Sequence, residues 1–462
     1  MAVIGASRFN DTIAGTADAD SITGSPGIDL ITGGPGADTI VSGLMFGDDA
    51  MPDTLRGGAG NDSISLTYGY GGLLFGDNGD DTLTHAPPFP LNLAYVVLEG
   101  GPGTDMIDGN ASATTTVWAG YLTATSGVSV DLSITGPQAV GGGAGIDTLR
   151  NLTGVLGSSF DDVVRGGQNA REELFGGPGN DTLRAGAAGG ELHGDAGDDV
   201  LVGGPRSDWA AYNTSVAKLN LEFPPQYAAT SGLTVSLGIS GAQAVGGGLG
   251  IDTLVDIDNL RGSAFGDTLT GSEAANILAG EAGDDSLAGG GGGDSLQGGF
   301  GRDVLSGGSG NDTFGDTGGP NTMLGGDGSD SVAGSLESDA IQGNTGADTL
   351  NGNLGADTIR GGQGDDVVLG GGEDDFLAGD RGADTLTGGE GADVFHAWSG
   401  AELDRVTDFD IEEGDRVLLL PGAAPAISQV GGDTVIDFGG GGQMVLTGVQ
   451  LSSLPAGWIF GA

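Results

Sequence analysis

Residues 294–305 read DSLQGGFGRDVL: an Asp, an apolar residue two places on, a glycine-rich turn, then the same order again. From Asp267 to Asp393 the ninth residue is Asp at every step except Asn276 and Asn321. Two places after each stands an apolar side chain: Leu269, Leu278, Leu287, Leu296, Leu305, Phe314, Met323, Val332, Ile341, Leu350, Ile359, Val368, Leu377, Leu386 and Phe395. An acidic, glycine-rich linker would have no reason to hold that register. A strict short period instead requires a chain that stacks identical units, each burying its apolar residue only against its neighbours.

The same step opens the chain at Asp11, Asp20, Asp29 and Asp38, with Ile13, Ile22, Ile31 and Ile40. It returns at Glu172, Asp181, Gly190, Asp199 and Asp208. Within a unit, Gly at the first, second and fourth places is expected to take positive φ, turning the chain and aiming carbonyl oxygens at one point. Asp at the sixth place adds a carboxylate. A three-residue strand follows, with its middle side chain inward and its neighbours outward. Thus Leu350 is expected inside and Thr349 outside.

Charge bounds the partners. The 462 residues include 64 Asp or Glu against 14 Lys or Arg, a formal net charge of -50. Such a surface repels nucleic acid and anionic membrane, so neither nucleic-acid binding nor membrane insertion is expected. Small cations are its natural counter-charge. There is no Cys for a disulfide or a thiolate site. The start, MAVIGASRFNDTI, lacks a basic segment followed by an apolar run, so a soluble protein with no cleaved N-terminal signal is expected.

Full-strength units include GGPGADTIV (33–41), GGAGNDSIS (57–65), GGPGNDTLR (176–184) and GGSGNDTFG (307–315). These resemble the nonapeptide repeat G-G-x-G-x-D-x-U-x of the RTX (repeats-in-toxin) family of secreted bacterial proteins. The resemblance covers about two-thirds of the chain. It implies an all-β fold, a right-handed parallel β-roll in which two nonapeptides complete one coil and calcium lies between turns 18 residues apart. The carboxylates it assigns to calcium are Asp29, Asp38, Asp62, Asp81, Asp105, Asp181, Asp199, Asp285, Asp294, Asp303, Asp312, Asp330, Asp348, Asp357, Asp366, Asp384 and Asp393. The glycines it assigns are Gly33, Gly36, Gly176, Gly179, Gly289, Gly292, Gly307, Gly310, Gly325, Gly328, Gly361 and Gly364. Each coil buries only two aliphatic side chains while fixing eighteen residues, so calcium is expected to drive folding. Export through type I secretion machinery, without a cleaved leader, is the route the resemblance implies.

Six segments are expected: an RTX array at 1–85, a β insertion at 86–145, a second array at 146–208, a second insertion at 209–251, a long array at 252–395, and a C-terminal cap with a secretion region at 396–462. The insertions are two copies of one unit, because SGVSVDLSITGPQAVGGGAGIDTL (126–149) matches SGLTVSLGISGAQAVGGGLGIDTL (231–254) at an offset of 105. The step of fifteen from Asp147 to Asp162, and from Asp252 to Asp267, reads as a wider coil or an added strand. Trp118, Tyr121, Trp209, Tyr212 and Tyr227 are expected to pack rather than to form a ligand platform. DTVIDFGGGGQMVLTGV (433–449) reads as a hairpin that closes the last coil.

No catalytic constellation is evident. His85, His193 and His396 are far apart, neither H-E-x-x-H nor G-x-S-x-G occurs, and His193 is expected to be a solvent-exposed strand neighbour. The expected function is a non-catalytic extracellular calcium-binding protein with a structural, surface or adhesion role, its cell-surface or polysaccharide partner unspecified. The alternative is a polysaccharide-active enzyme with its site in the irregular β segments.

The long array carries one further expectation. Turns ending at Asp294, Asp312, Asp330, Asp348, Asp366 and Asp384 fall on one edge and keep their glycines. On the other edge DTGGPN (316–321) and GSLESD (334–339) have lost them, and GGGEDD (370–375) is compromised. An unbroken calcium row is expected on the first edge and a gap on the second, filled by Leu336 and Met323.

Overall fold

The structure, a computed structural model, describes residues 3–5, 11–24, 28–42, 53–67, 71–85, 95–110, 116–168, 172–213, 229–420 and 423–461. The chain divides into two compact units, Met1–Thr230 with Ile239–Ile257, and Ser231–Gly238 with Asp258–Ala462.

In the second unit the nine-residue period becomes alternation between two parallel sheets. Ser286–Gly291, Val304–Ser309 and Thr322–Asp327 follow one another in one sheet. Ile277–Ala282, Ser295–Phe300 and Thr313–Gly315 follow one another in the other. The register advances by eighteen, pairing Leu287 with Leu305 and Leu305 with Met323, so two nonapeptides make one coil. Every apolar residue of the series Leu269 to Phe395 is buried between the sheets. Leu350 is fully buried while Thr349 is exposed, as a period of two demands. The architecture is an all-β parallel β-solenoid, and the described residues include one short 3-10 turn, Leu451–Ser453.

The first unit runs the same way, with Leu55, Leu74, Leu98, Ala119, Val155, Leu174, Leu192 and Ala210 in register along one inner row. Its side sheet is spliced at 126–150. Gly145–Arg150 is the last parallel strand of one sheet, and Gln138–Gly141 lies antiparallel along it. Ser129–Asp131 starts the next sheet by pairing with Val163–Arg165. An added strand therefore exists, but the coil is not wider: Gly154–Leu156 on the opposite sheet lies between Asp147 and Asp162, so this coil is three residues shorter than eighteen. The second copy repeats both halves. Ala242–Ala244 lies antiparallel to Ile251–Val255 in the first unit, and Thr234–Ser236 pairs with Thr268–Thr270 in the second.

At the C-terminal end Asp433–Gly439 pairs antiparallel with both Ala426–Val430 and Gly442–Leu446, and the latter lies parallel to Leu403–Val406. Phe395, Phe409 and Trp458 close the core, with ring centroids 6.0 and 6.3 Å apart. A turned antiparallel end gives the last coil a neighbour without offering another parallel strand.

Candidate metal centres

The turn at 289–294, GGGGGD, is representative. Gly290 and Gly292, at the second and fourth places, take φ of 103° and 99°. Gly289, at the first place, does not enter the left-handed region, contrary to the expectation from sequence. Glycine is needed there for space: a Cβ on Gly289 would lie 2.2 Å from Asp294 Oδ2 and 2.7 Å from the Gly307 carbonyl oxygen one coil on. The absent side chain leaves a cradle faced by a carboxylate and a carbonyl. At the second place Asn344, Asn353 and Asp380 adopt positive φ, which short polar side chains tolerate.

The two oxygens of the sixth-place carboxylate have different work. Oδ1 accepts the main-chain N–H of the corresponding Asp one coil earlier: Asp294 donates to Asp312 at 2.7 Å, Asp312 to Asp330 at 2.8 Å and Asp330 to Asp348 at 2.8 Å. Oδ2 is buried in the cradle with no hydrogen-bond partner. A carboxylate oxygen in that position carries an uncompensated desolvation cost. Arg56 and Arg360 do not relieve it, since they pair with Asp77 and Asp380 at second places. Among the described residues no three His, Cys, Asp or Glu side chains stand together as a metal cluster. An ion here would draw on one carboxylate per turn and on main-chain carbonyls, the hard oxygen donors that calcium takes. The residues fit calcium.

Every carboxylate expected from sequence is buried, and all but Asp29 have this unpartnered Oδ2. Asp29 Oδ1 accepts the Asp11 N–H at 3.0 Å. Of the glycines, Gly33, Gly176, Gly289, Gly307, Gly325 and Gly361 are first-place cradles, and Gly36, Gly179, Gly292, Gly310, Gly328 and Gly364 are fourth-place positive-φ positions. Asp375 was missed. Its turn GGGEDD is intact, because Glu373 takes φ of 76° where glycine is usual, and Asp375 Oδ2 is as free as the others. Asp53 was missed because its turn lacks the glycine pattern; most of that turn lies outside the described residues. In DTGGPN, Asp316 replaces the first-place glycine and turns its own unpartnered Oδ2 toward Gly298 and the Asp303 carboxylate. Leu336 and Met323 fill nothing: Leu336 is 64% exposed, and Met323 is in the core.

Burial pushes these carboxyls up, against the hydrogen bond from the preceding coil. Asp294 rises to about 6, Asp285 and Asp366 to about 7. Asp181 reaches about 8 and Asp199 about 9, the charges of neighbouring carboxylates adding to burial.

The irregular segments of the first unit hold a second apolar cluster on the outer face of the sheet, where Val97, Trp118, Leu156 and Phe175 are buried. Tyr95 stacks on Trp118 at 5.4 Å, Trp118 meets Phe175 edge-on at 5.6 Å, and Phe175 stacks on His193 at 4.2 Å. His193 is buried, contrary to expectation, because its strand is covered on both faces here. Trp118, Tyr121, Trp209 and Tyr212 are buried, and Tyr227 lies outside the described residues. A cavity of about 110 Å³ is lined by Glu99, Tyr121, Thr123 and Gly142–Ala144 among others.

A family model described as RTX calcium-binding nonapeptide repeat (4 copies) matches residues 6–44, 49–66, 167–189, 175–209, 255–287, 288–314, 316–341, 334–368, 342–377 and 369–401, more than half of the chain. Among solved structures, the crystal structure of extracellular lipase LipA from Serratia marcescens is 14% identical over 65% of this chain and 67% of that one, with a TM-score of 0.21. No curated protein matches the sequence.

Proposed function

The chain belongs to the RTX calcium-binding nonapeptide-repeat family, and from that premise we propose that it is a non-catalytic secreted protein whose roll folds when extracellular calcium fills its turns. The observation that carries this reading is the succession of buried Oδ2 atoms without partners, each facing a glycine cradle. A cation binding there stabilises only the folded chain, so its binding free energy becomes folding free energy. Extracellular calcium modules are tuned to about 10⁻⁴ to 10⁻³ M, far above the resting cytosolic level. The chain would stay unfolded inside the cell, as passage through a type I machine requires, and fold outside. The role we assign to such an acidic, calcium-stiffened roll is structural, at a surface or in adhesion.

The polysaccharide-active alternative draws little support from the described parts of its segments. Trp118, Tyr121, Trp209 and Tyr212 are buried and Tyr95 is half-buried against Trp118, and the 110 Å³ cavity with Glu99 is well below the roughly 300–1,000 Å³ of small-molecule sites. The test is far-ultraviolet circular dichroism of the purified chain. A disordered spectrum in chelator should turn to β with calcium at about 10⁻⁴ to 10⁻³ M and not with magnesium, which prefers smaller octahedral sites. A full β spectrum in chelator would sink the proposal.

A further inference from the structure

Not every turn leaves its carboxylate free. Among the described residues, in three turns a hydroxyl residue occupies the second place and its main-chain N–H binds the sixth-place carboxylate: Thr16 to Asp20 Oδ2 at 2.6 Å, Ser158 to Asp162 Oδ2 at 2.6 Å, and Ser263 to Asp267 Oδ2 at 2.5 Å. Two more follow suit, Ser272 to Asn276 Oδ1 at 2.6 Å and Ser335 to Asp339 Oδ2 at 2.6 Å. The hydroxyl also accepts the N–H at the fourth place in every case, at 3.1 to 3.3 Å. None of these turns uses positive φ at its second or fourth place. They form a separate turn type, G-[ST]-x-x-x-[DN], in which hydrogen bonds occupy the oxygen that the glycine-rich turns leave open.

Their positions are ordered. Asp162 and Asp267 are each the first carboxylate of a side row; one coil earlier stand Val128 and Leu233, whose N–H groups bond Asp162 Oδ1 and Asp267 Oδ1 at 2.7 and 2.8 Å. Asp20 likewise precedes Asp38 in its row. Asn276 belongs to the first glycine-led turn of the row that continues to Asp294. Two side rows also end beside a tyrosine: Tyr212 donates its hydroxyl to Asp252 Oδ2 at 3.1 Å while Asp252 Oδ1 accepts the Asp199 N–H at 3.2 Å, and Tyr121 donates to Asp147 Oδ2 at 3.2 Å but leaves Asp147 Oδ1 without a partner. A turn at the end of a row has a glycine-rich neighbour on one side only, so it offers fewer carbonyl oxygens to an ion.

Building on the calcium reading above, we infer that the side rows are bounded, and in one place interrupted, by metal-free turns: Ser or Thr locks open them, the Tyr212 hydroxyl closes one of them, and Ser335 with Asn321 divides another. The locks need no ion of their own and give the glycine-rich coils a fixed edge to add to as calcium binds. The natural Asn276 fits this assignment, since a lock needs an acceptor oxygen and no charge. The fold shows the same economy at Asn321, whose Oδ1 accepts the Asp303 N–H at 2.8 Å while its amide donates to the Gly319 carbonyl at 2.7 Å.

The test is calcium bound per full-length chain at saturation, measured by metal analysis after gel filtration, with circular dichroism confirming the fold. Asp339→Asn should leave the number of ions unchanged, and Asn276→Asp, which supplies a carboxylate to a lock, should add none. Asp312→Asn, which keeps Oδ1 and removes the free oxygen, should lose at least one ion. Ser335→Ala guards against misfolding of Asp339→Asn: it should bind as many ions as wild type but melt at a lower temperature in saturating calcium. Loss of an ion in Asp339→Asn or a gain in Asn276→Asp overturns the inference. A wild-type chain that binds no calcium overturns instead the reading on which it rests.

Discussion

The two edges of the second unit are made from one repeat and differ in what holds the carboxylate. Along one edge Asp294, Asp312, Asp330, Asp348, Asp366 and Asp384 all leave Oδ2 unpartnered. Along the other, Asp285, Asp303, Asp357, Asp375 and Asp393 do so, but Asn321 and Asp339 do not. The main-chain ladder crosses this break undisturbed: Asp303 donates to Asn321 at 2.8 Å and Asn321 to Asp339 at 2.7 Å. The coil uses one oxygen per turn, and the proposed ion would use the other. On the proposed reading, architecture and metal affinity are carried by different atoms of the same side chain.

The largest effect should come from the core that both edges share. Leu350→Asp buries a charge with no partner between the sheets and should abolish calcium-induced folding. Thr349→Asp, on the exposed face, should shift the calcium midpoint little, as surface substitutions away from special features are usually within about 0.5 kcal/mol. Equal effects in a calcium titration would mean that the strand register is wrong.

A smaller effect should be confined to one edge. Gly307→Ala places a methyl 2.1 Å from Asp312 Oδ2 and 2.6 Å from the Gly325 carbonyl, so it should raise the calcium midpoint severalfold. Gly315→Ala meets nothing within 4 Å and should be neutral. Paired titrations of the two variants separate filling the cradle from simply adding a side chain.

The smallest effect expected is a pH dependence of the metal-free chain. Burial lifts Asp294 to about 6 and Asp285 and Asp366 to about 7, whereas an unfolded Asp titrates near 3.9. The folded roll then binds protons more tightly than the unfolded chain. Stability from this source is fully present below about pH 4 and is lost as pH rises through about 6 to 7. In chelator, circular dichroism should show more β structure at pH 5 than at pH 8. The opposite order would mean that these carboxyls are not buried without compensation.

The solenoid was legible because its signal repeats: one apolar residue in nine, held through Leu269 to Phe395, leaves no other way to bury them. The row of buried carboxylates was legible for the same reason. What the pattern hid was the division of labour among glycines, since Gly289 and Gly290 look alike in sequence but one avoids a clash and the other takes positive φ. It also hid substitutions that a local conformation absorbs, such as Glu373 in the left-handed region. His193 was misjudged because the outer face of its sheet is buried by contacts distant in sequence, which a period of two does not record. One lock, GSLESD, reads in sequence as a damaged repeat, whereas its hydrogen bond makes it a turn of another kind.

The central claim is that a free Oδ2 in a glycine cradle, and not the repeat as such, specifies an ion. A crystal grown in calcium, with anomalous scattering recorded along both edges of the second unit, tests it most directly. Anomalous peaks should line the edge from Asp294 to Asp384 without a break and should be missing on the opposite edge beside Asn321 and Asp339, returning at Asp357. Peaks of equal height along both edges, or none beside Asp294 to Asp384, would contradict it.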